Sequence, residues 1–341
     1  MSQLHTTGKT AFLITIDTEG DNLWVNKRTI TTRNAAFLAR FQHLCDSYGL
    51  QPTYLTNYEM ACSPAFQDFG REVIARGRGE IGMHLHAWNT PPLRPLTSDD
   101  LLYQPFLIEY AEPAMKDKVS TMTDLLMNVF QVPMISHRAG RWAMNETYAR
   151  ILVGHGYRVD CSVTPLVSWR TTRGDPAQCG GPDYSEFPPS AYFLDVDDIS
   201  RPGDSPLLEL PMTIVPSSRF AMSRALRRAV PGPLQRTSLV SRALNRFFPV
   251  VHWLRPSGRN LDALVGIVTR AAQERWSYVE FMLHSSELMP GGSPTFPCER
   301  DVERLYEDLE MLFGLAQRAC TPLTLAAYYR RFTGGDREGC L

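Results

Sequence analysis

The sequence has no apolar run long enough to cross a bilayer and no closely spaced pair of cysteines. The run before Asp17 holds only about six apolar residues, too few for the core of a signal peptide or for a membrane span. The seven cysteines are scattered singly, which argues against a disulfide framework and against a cysteine-type zinc site. We therefore expect a protein of the reducing cytoplasm.

The chain also lacks an excess of charge of either sign. A formal net charge of -1 over 341 residues gives no global attraction to nucleic acid or membranes, so no nucleic-acid partner is expected. The local exception is the segment 217–256, which holds eight arginines and no Asp, Glu or Lys. We predict two short basic amphipathic helices there. They are either an exposed insertion paired with acidic neighbours or a surface that captures an anionic substrate group or a membrane.

What the sequence does contain is a regular alternation of strand-like and helix-like segments. Apolar, β-branched runs predict strands at 11–16, 52–55, 80–83, 133–136, 157–159 and 278–283. Amphipathic segments separate them, so the pattern predicts an α/β fold with a parallel sheet and a site at the carboxyl ends of the strands. We treat residues 1–341 as a single domain that carries 217–256 as an insertion.

Two histidines follow the third strand-like run in an i, i+2 relation. In an extended chain such side chains point to the same side, so His84 and His86 can face one point. Asp17 and Glu19 follow the first run in the same relation. One carboxylate with two imidazoles is a common catalytic set for Zn²⁺ or a similar divalent ion. The alternative is one core histidine and one solvated histidine.

Further polar residues stand at other strand ends. Arg138 and Arg141 follow the fourth run, Asp160 follows the fifth, and His284 follows the last. Hydrolysis of an amide needs a base to activate water and an acid to protonate the leaving amine. A spare carboxylate and a spare histidine on separate strands are available for these roles. The alternative for Arg138 is a buried structural ion pair, and for His86 it is a contact with the substrate or with a ligand.

In this order the motifs resemble those of the NodB-type polysaccharide deacetylases, carbohydrate esterase family four. The stretch ITIDTEGD is similar to the family's first motif. The resemblance implies Asp17 as the catalytic base and Glu19 as a metal ligand, with Asp21 as a less favoured substitute for Glu19.

The stretch EIGMHLHAWNTPP resembles the family's second motif, whose two histidine ligands usually lie four residues apart. In this sequence Trp88 occupies the fourth position after His84. The resemblance therefore implies His84 as one ligand, and the second is His86 or a residue from elsewhere. Trp88 and Arg141 are further candidates for contact with the substrate.

Three later stretches complete the resemblance. HRAGR is similar to the third motif and implies that Arg138 holds and orients the base. VDCSVTP, together with Trp169, is similar to the fourth and implies that Asp160 and Trp169 line the pocket. FMLHSSELMPGGSP resembles the fifth and implies His284 as the general acid, with Leu283 in a pocket for the acetyl methyl group.

The resemblance implies a distorted (β/α) barrel of about seven parallel strands and metal-dependent removal of an N-acetyl group from an acetamido sugar, with Zn²⁺ as the favoured ion. Because no export signal is visible, we expect a nucleotide-, lipid- or lipopolysaccharide-linked precursor as substrate, and the Arg-rich segment as a peripheral contact with anionic groups or a membrane. Two alternatives remain. One is a glycoside hydrolase that uses Asp17 and Asp160 as paired carboxylates. The other is a metal-free, non-catalytic carbohydrate-binding relative.

Overall fold

The computed structural model describes residues 8–24, 29–178, 180–217 and 250–334. The strands are β1 (Ala11–Thr18), β2 (Pro52–Thr56), β3 (Glu80–Leu85), β4 (Ser136–Ala139), β5 (Val159–Asp160), β6 (Tyr192–Asp195), β7 (Asp198–Pro202), β8 (Leu208–Glu209), β9 (Ile214–Pro216), β10 (Val251–Trp253), β11 (Tyr278–His284) and β12 (Thr321–Leu323). The α-helices are α1 (Leu38–Ser47), α2 (Tyr58–Ala61), α3 (Pro64–Ala75), α4 (Asp100–Tyr103), α5 (Glu112–Phe130), α6 (Glu146–Gly154), α7 (Leu261–Glu274), α8 (Glu299–Ala319) and α9 (Leu325–Phe332).

Seven strands lie side by side in the order β11-β1-β2-β3-β4-β5-β8, and each neighbouring pair is parallel. Beyond β8 the sheet continues into the antiparallel strands β6 and β7, while β12 runs parallel to the first residues of β1. The sheet curls into an open barrel, and the segment after β8 reaches across to β11, where the Tyr278 hydroxyl donates to the Pro211 carbonyl oxygen at 2.6 Å. The expected α/β barrel with about seven parallel strands is confirmed.

Strand β1, which lies between β11 and β2, is buried along its whole length. Its run of apolar and β-branched residues is typical of a parallel strand that is covered on both faces. Amphipathic helices cover the outer face of the sheet. In α8, for example, Leu305, Leu309 and Leu312 recur at helical spacing, and all three are buried in the core.

The fourth strand lies three residues later than the apolar pattern predicts. The prediction was 133–136, whereas β4 spans Ser136–Ala139 and includes His137 and Arg138. The strand continues past its apolar residues because the polar side chains that follow are buried and hydrogen-bonded. Arg138 is therefore part of the strand, where its position is fixed by the sheet.

Most of the Arg-rich segment, residues 218–249, lies outside the described residues, and so do the two helices predicted there. At its base, β9 and β10 pair as antiparallel strands. Arg255 is the arginine of this segment that the structure describes. None of the described helices combines the length and the apolar character that crossing a bilayer requires.

Candidate metal centre and catalytic site

Two carboxylates stand at the carboxyl end of β1. Asp17 lies in the strand, Glu19 lies just beyond it, and both are almost fully buried. Asn34 and Ser285 hold the backbone of Glu19 in place. Asn34 Nδ2 donates to the Glu19 carbonyl oxygen at 2.8 Å, and the Glu19 amide donates to Ser285 Oγ at 3.0 Å. The expected strand-end acids are thus held by a neighbouring loop and by the loop after β11.

His84 and His86 bring their Nε2 atoms to Glu19. Glu19 Oε2 lies 3.7 Å from His84 Nε2 and 3.4 Å from His86 Nε2. One potential ligand atom from each of the three residues lies within 4.8 Å of the other two. His84 Nδ1 is 3.0 Å from the Arg138 carbonyl oxygen, so we assign the proton to Nδ1 and the lone pair to Nε2. A buried carboxylate and two imidazoles whose donors converge in this way fit a divalent cation.

Charge within this cluster follows from burial and close contact. Burial, the largest influence, would raise the pKa of Glu19, but the positive charge of the nearby histidines outweighs it and the pKa is lowered. Burial also dominates at His86, where it combines with the charge of His84 to lower the pKa to about 3. At His84 burial is outweighed by Asp17 and Glu19, which raise its pKa, so a cation bound at Nε2 would displace a proton from that atom and hold the neutral ring. Glu19 is therefore ionised and His86 neutral at pH 7, as metal ligands must be.

His86 is oriented by packing. Its ring stacks on Trp88, with centroids 4.4 Å apart and an interplanar angle of 20°, and its Nδ1 has no hydrogen-bond partner among the described residues. On the other side, a Cβ at Gly140 would lie 2.3 Å from His86 Cδ2, so a glycine is required there. Trp88, at the position where the family resemblance expects a histidine ligand, instead supports the ring of His86.

Arg138 connects the base to the sheet. It is fully buried, and its Nη1 donates to Asp17 Oδ1 at 2.5 Å, while its Nη2 donates to Thr15 Oγ1 at 2.8 Å and to Glu280 Oε1. Burial would raise the pKa of Asp17, but the charge of Arg138, aided by the two nearby histidines, holds that pKa far below its usual value. Asp17 Oδ2 is left facing the cluster, 3.8 Å from His284 Nε2.

Glu280 is a member of this network that the sequence reasoning missed. It is fully buried in β11, and burial outweighs the charge of Arg138 and raises its pKa to about 7. A signal existed in the sequence, since Glu280 is the one charged residue inside an apolar strand and lies four residues before His284, on the same face.

His284 presents its Nε2 to the acids from the end of β11. This atom lies 3.8 Å from Asp17 Oδ2 and 3.8 Å from Glu19 Oε1. The opposite nitrogen, Nδ1, lies 2.9 Å from Arg255 Nη2 and 3.5 Å from Glu287 Oε2. Glu287 also accepts the His284 amide at 2.9 Å and the Arg255 guanidinium at 3.1 Å. Burial would raise its pKa, but Arg255 and His284 lower it to about 2, so Glu287 is an ionised anchor for the histidine.

An open cavity of about 350 Å³ lies over these groups. Its wall includes three residues that the sequence analysis proposed as substrate contacts, namely Trp88, Arg141 and Trp169. Arg255, from the Arg-rich segment that the sequence analysis offered for an anionic group, also lines it. The other loop residues of the wall were not proposed from the sequence, and they are Leu23, Trp24, Gln104, Trp142 and Thr172. Side chains on the loops that follow the strands therefore build most of the wall.

Two residues expected in the pocket are placed elsewhere. Asp160 pairs in register with His137, and its Oδ1 lies 2.6 Å from His137 Nδ1 on the face of the sheet opposite to Arg138. Leu283 precedes His284 in an extended strand, points to the other face, and is fully buried in the core. Neither residue lines the cavity. The structure therefore places Asp160 and Leu283 away from the position that the motif resemblance implies for them, because residues that alternate along a strand face opposite sides.

Asp21, the substitute considered for Glu19, does not reach the cluster. Its carboxylate accepts the Arg33 amide at 2.8 Å and the Thr31 hydroxyl at 3.0 Å. These bonds close the loop that follows β1. Asp21 is therefore a loop anchor, and Glu19 is the acid that the structure brings to the two histidines.

Comparison with known proteins gives a result for the fold. No family model matches the sequence, and no curated protein matches it. A candidate polysaccharide deacetylase from Mycobacterium smegmatis superposes with a TM-score of 0.54 at 14% identity, covering 98% of this chain and 95% of that one. The chain shares its fold. A candidate glycoside hydrolase/deacetylase from Parabacteroides distasonis gives a TM-score of 0.58 at 10% identity, covering 96% and 72%. The expected likeness to the polysaccharide deacetylase barrel is thus confirmed for the fold.

Proposed function

We propose that the protein is a metal-dependent hydrolase that removes an N-acetyl group from an acetamido sugar. One observation carries this proposal: Asp17 Oδ2 and His284 Nε2 both face the Glu19, His84 and His86 cluster within a single cavity. A base, an acid and a set of metal ligands are the groups that metal-dependent amide hydrolysis uses, and here Asp17 Oδ2 lies 4.0 Å from His84 Nε2 and 3.8 Å from His284 Nε2. The fold of the two structural neighbours supports the same proposal.

The donor set fits a divalent cation, and Zn²⁺ is the ion that we favour for one carboxylate and two imidazoles. When bound, such an ion supplies a Lewis acid that polarises the acetyl carbonyl. Glu19, His84 and His86 would hold it. The hydrogen bond from His84 Nδ1 to the Arg138 carbonyl oxygen fixes the ring so that Nε2 faces the ion.

The proposed reaction assigns one proton transfer to each side of the site. Asp17, anchored through Oδ1 by Arg138, accepts a proton at Oδ2 from the water that attacks the acetyl carbon. His284, anchored on its Nδ1 side by Arg255 and Glu287, gives a proton from Nε2 to the sugar nitrogen as the C–N bond breaks. Acetic acid and the sugar amine leave and become acetate and ammonium, and Asp17 passes its proton through solvent to His284, so the protons balance over the cycle.

The cavity wall suits a sugar. Trp24, Trp88, Trp142 and Trp169 contribute indole surfaces, and such surfaces pack against the apolar faces of pyranose rings. Trp169 is fixed in place, since its Nε1 donates to Thr164 Oγ1 at 2.9 Å. We propose a cell-surface glycan or its lipid- or nucleotide-linked precursor as the substrate, acted on in the cytoplasm, in keeping with the sequence analysis.

The glycosidase alternative requires Asp160 as a second carboxylate in the cavity, and Asp160 lies elsewhere. Asp160 is bonded to His137 and Ser162 on the far side of the sheet and does not line the cavity. Asp17 and Glu19, the carboxylates that do line it, both contact histidines and lie on one side of the site. Paired glycosidase carboxylates must instead flank the scissile bond.

The test is acetate release. Purified protein is incubated with N-acetylglucosamine oligosaccharides before and after treatment with a chelator, and then with Zn²⁺ added back. We expect acetate to appear, to stop on chelation and to return with the metal. Release of reducing ends without acetate would support the glycosidase. Bound metal, measured by elemental analysis, separates the deacetylase from a metal-free binding relative.

A further inference from the structure

Arg141 is a cation in the cavity wall that the proposed reaction does not use. Its Nη2 donates to the Arg173 carbonyl oxygen at 2.8 Å, its Nη1 donates to the Gln104 carbonyl oxygen, and its guanidinium lies 4.1 Å from the centre of the Phe106 ring. These contacts fix the plane of the guanidinium. They use one hydrogen on each Nη, and the other N–H donors of Arg141 have no partner among the residues that the structure describes.

The charge of Arg141 has no paired carboxylate among the residues that the structure describes. The described acid that acts on its charge is Glu109, whose carboxylate accepts hydrogen bonds from the amides of Phe106 at 2.6 Å and Asp175 at 3.0 Å. The other arginine of the wall, Arg255, is paired with Glu287. Arg141 is therefore the guanidinium of the described wall whose charge remains available to a ligand.

The backbone at this position supports the same view. Arg141 and Trp142 have φ angles of 56° and 63°, so two consecutive residues with large side chains occupy the left-handed region. Such a conformation is disfavoured for these residues and persists where the surroundings determine it. Here the Tyr184 hydroxyl donates to the Trp142 carbonyl oxygen and holds the turn, and both side chains line the cavity.

We propose that Arg141 binds an anionic substituent of the substrate, a carboxylate or a phosphate, so that the sugar acted on belongs to an acidic glycan or glycoconjugate. This inference rests on the proposed function and names the class of its substrate. A guanidinium held in a fixed plane offers several N–H donors to one oxyanion, and the aromatic surroundings strengthen the pairing of charges. The tryptophans of the wall bind the ring, and Arg141 selects the charge.

The test measures binding, independently of turnover. In the Asp17→Asn background, calorimetry gives the Kd of three probes: an N-acetylglucosamine trisaccharide, an oligosaccharide of the same length with alternating glucuronate, and N-acetylglucosamine 1-phosphate. We expect one anionic probe to bind at least about tenfold more tightly than the neutral one. Arg141→Gln should reduce that preference about 10- to 100-fold. Arg141→Lys keeps the positive charge but lacks the planar guanidinium with its several N–H donors, so this variant should retain part of the preference for the anionic probe.

The matched control is Arg150→Gln, because Arg150 is a half-exposed arginine paired with Asp197 outside the cavity, and this variant should keep the full preference. If Arg141 only clamped its loops, its replacement would weaken all probes equally, and an unchanged ratio would overturn the proposal. Equal binding of anionic and neutral probes by the parent protein would overturn it too. The carboxylate and phosphate probes identify the source of the anion. Absence of acetate release with the preference intact would overturn the proposed function alone.

Discussion

The floor of the cavity and its wall are built in different ways. The floor consists of strand-end residues such as Asp17 and His84, which are nearly fully buried and hydrogen-bonded to the side chain and to the carbonyl oxygen of Arg138, respectively. The wall comes from the loops after the strands, and some of its members, such as Trp24, are well exposed. In the proposed function, the floor supplies the reacting groups and the wall selects the substrate. Changes to the floor should act on kcat and metal binding, and changes to the wall on KM.

The largest expected effect is at the base. Asp17→Asn keeps an oxygen for Arg138 but removes the proton acceptor, so we expect kcat to fall by about 10³-fold or more. The folded state should persist, since Glu280 still pairs with Arg138. Initial rates of acetate release and a thermal melt check both points. The control is Asp197→Asn, an exposed carboxylate outside the cavity, which should keep its rate. Full activity in Asp17→Asn would remove Asp17 from the mechanism.

The second effect separates the two histidines. His84→Ala and His86→Ala each remove one of three clustered donors, so each should raise the Kd for Zn²⁺ by at least about 100-fold, more than the loss of an outer hydrogen bond does. Competition with a chromogenic chelator measures this. His43→Ala, on α1 and outside the cavity, is the control. If His86→Ala bound Zn²⁺ as tightly as the parent protein does, His86 would be a substrate contact. It would then belong to the wall of the cavity and not to the metal-binding floor.

The same division explains how much the sequence could predict. Asp17, Glu19, His84 and His284 were found because parallel strands bring their carboxyl ends to one edge, and that rule needs only the order of apolar runs. Trp88, Arg141 and Trp169 entered only as candidate contacts, and wall residues such as Trp24 and Trp142 were missed, because positive φ angles and loop paths leave no periodic pattern in a sequence.

Errors within the strands have a different cause. Asp160 was placed in the pocket from its resemblance to the family's fourth motif and its position near a strand end, but the register pairs it with His137 and so with the opposite face. A shift of one residue in the register moves a side chain to the other face of the sheet. The apolar pattern does not locate strand ends to within one residue. Glu280 was overlooked because a buried acid in the middle of a strand needs a partner. That partner, Arg138, lies far away in the sequence, so the pair cannot be recognised from the strand alone.

A third prediction concerns Glu280, the buried acid below the floor. Its folded pKa of about 7 lies above the usual 4.5, so the folded state favours its protonated form. Stability is therefore lost as the pH rises from about 4.5 to about 7, by on the order of 3 kcal/mol. Glu280→Gln, which cannot ionise, should lack this loss. Urea unfolding of both proteins at pH 5 and pH 7.5 measures the difference, and parallel pH dependences in the two proteins would contradict the assignment.

The smallest expected effect belongs to the wall. Trp24 is 44% exposed, packs edge-on against His284 with ring centroids 5.3 Å apart, and donates from Nε1 to Ser286 Oγ at 3.2 Å. Trp24→Ala removes an aromatic surface for the sugar but no reacting group. Because one aromatic contact contributes about 0.5–1.5 kcal/mol, KM should rise about 3- to 10-fold with kcat nearly constant.

Leu102→Ala is the matched control, because Leu102 is an exposed apolar residue outside the cavity, and its KM should stay at the parent value. Steady-state kinetics of acetate release separate kcat from KM in both variants. A fall in kcat with unchanged KM would mean that the contact of Trp24 with His284 orients the acid. Trp24 would then belong functionally to the floor despite its exposure, and exposure would no longer separate the two parts of the site.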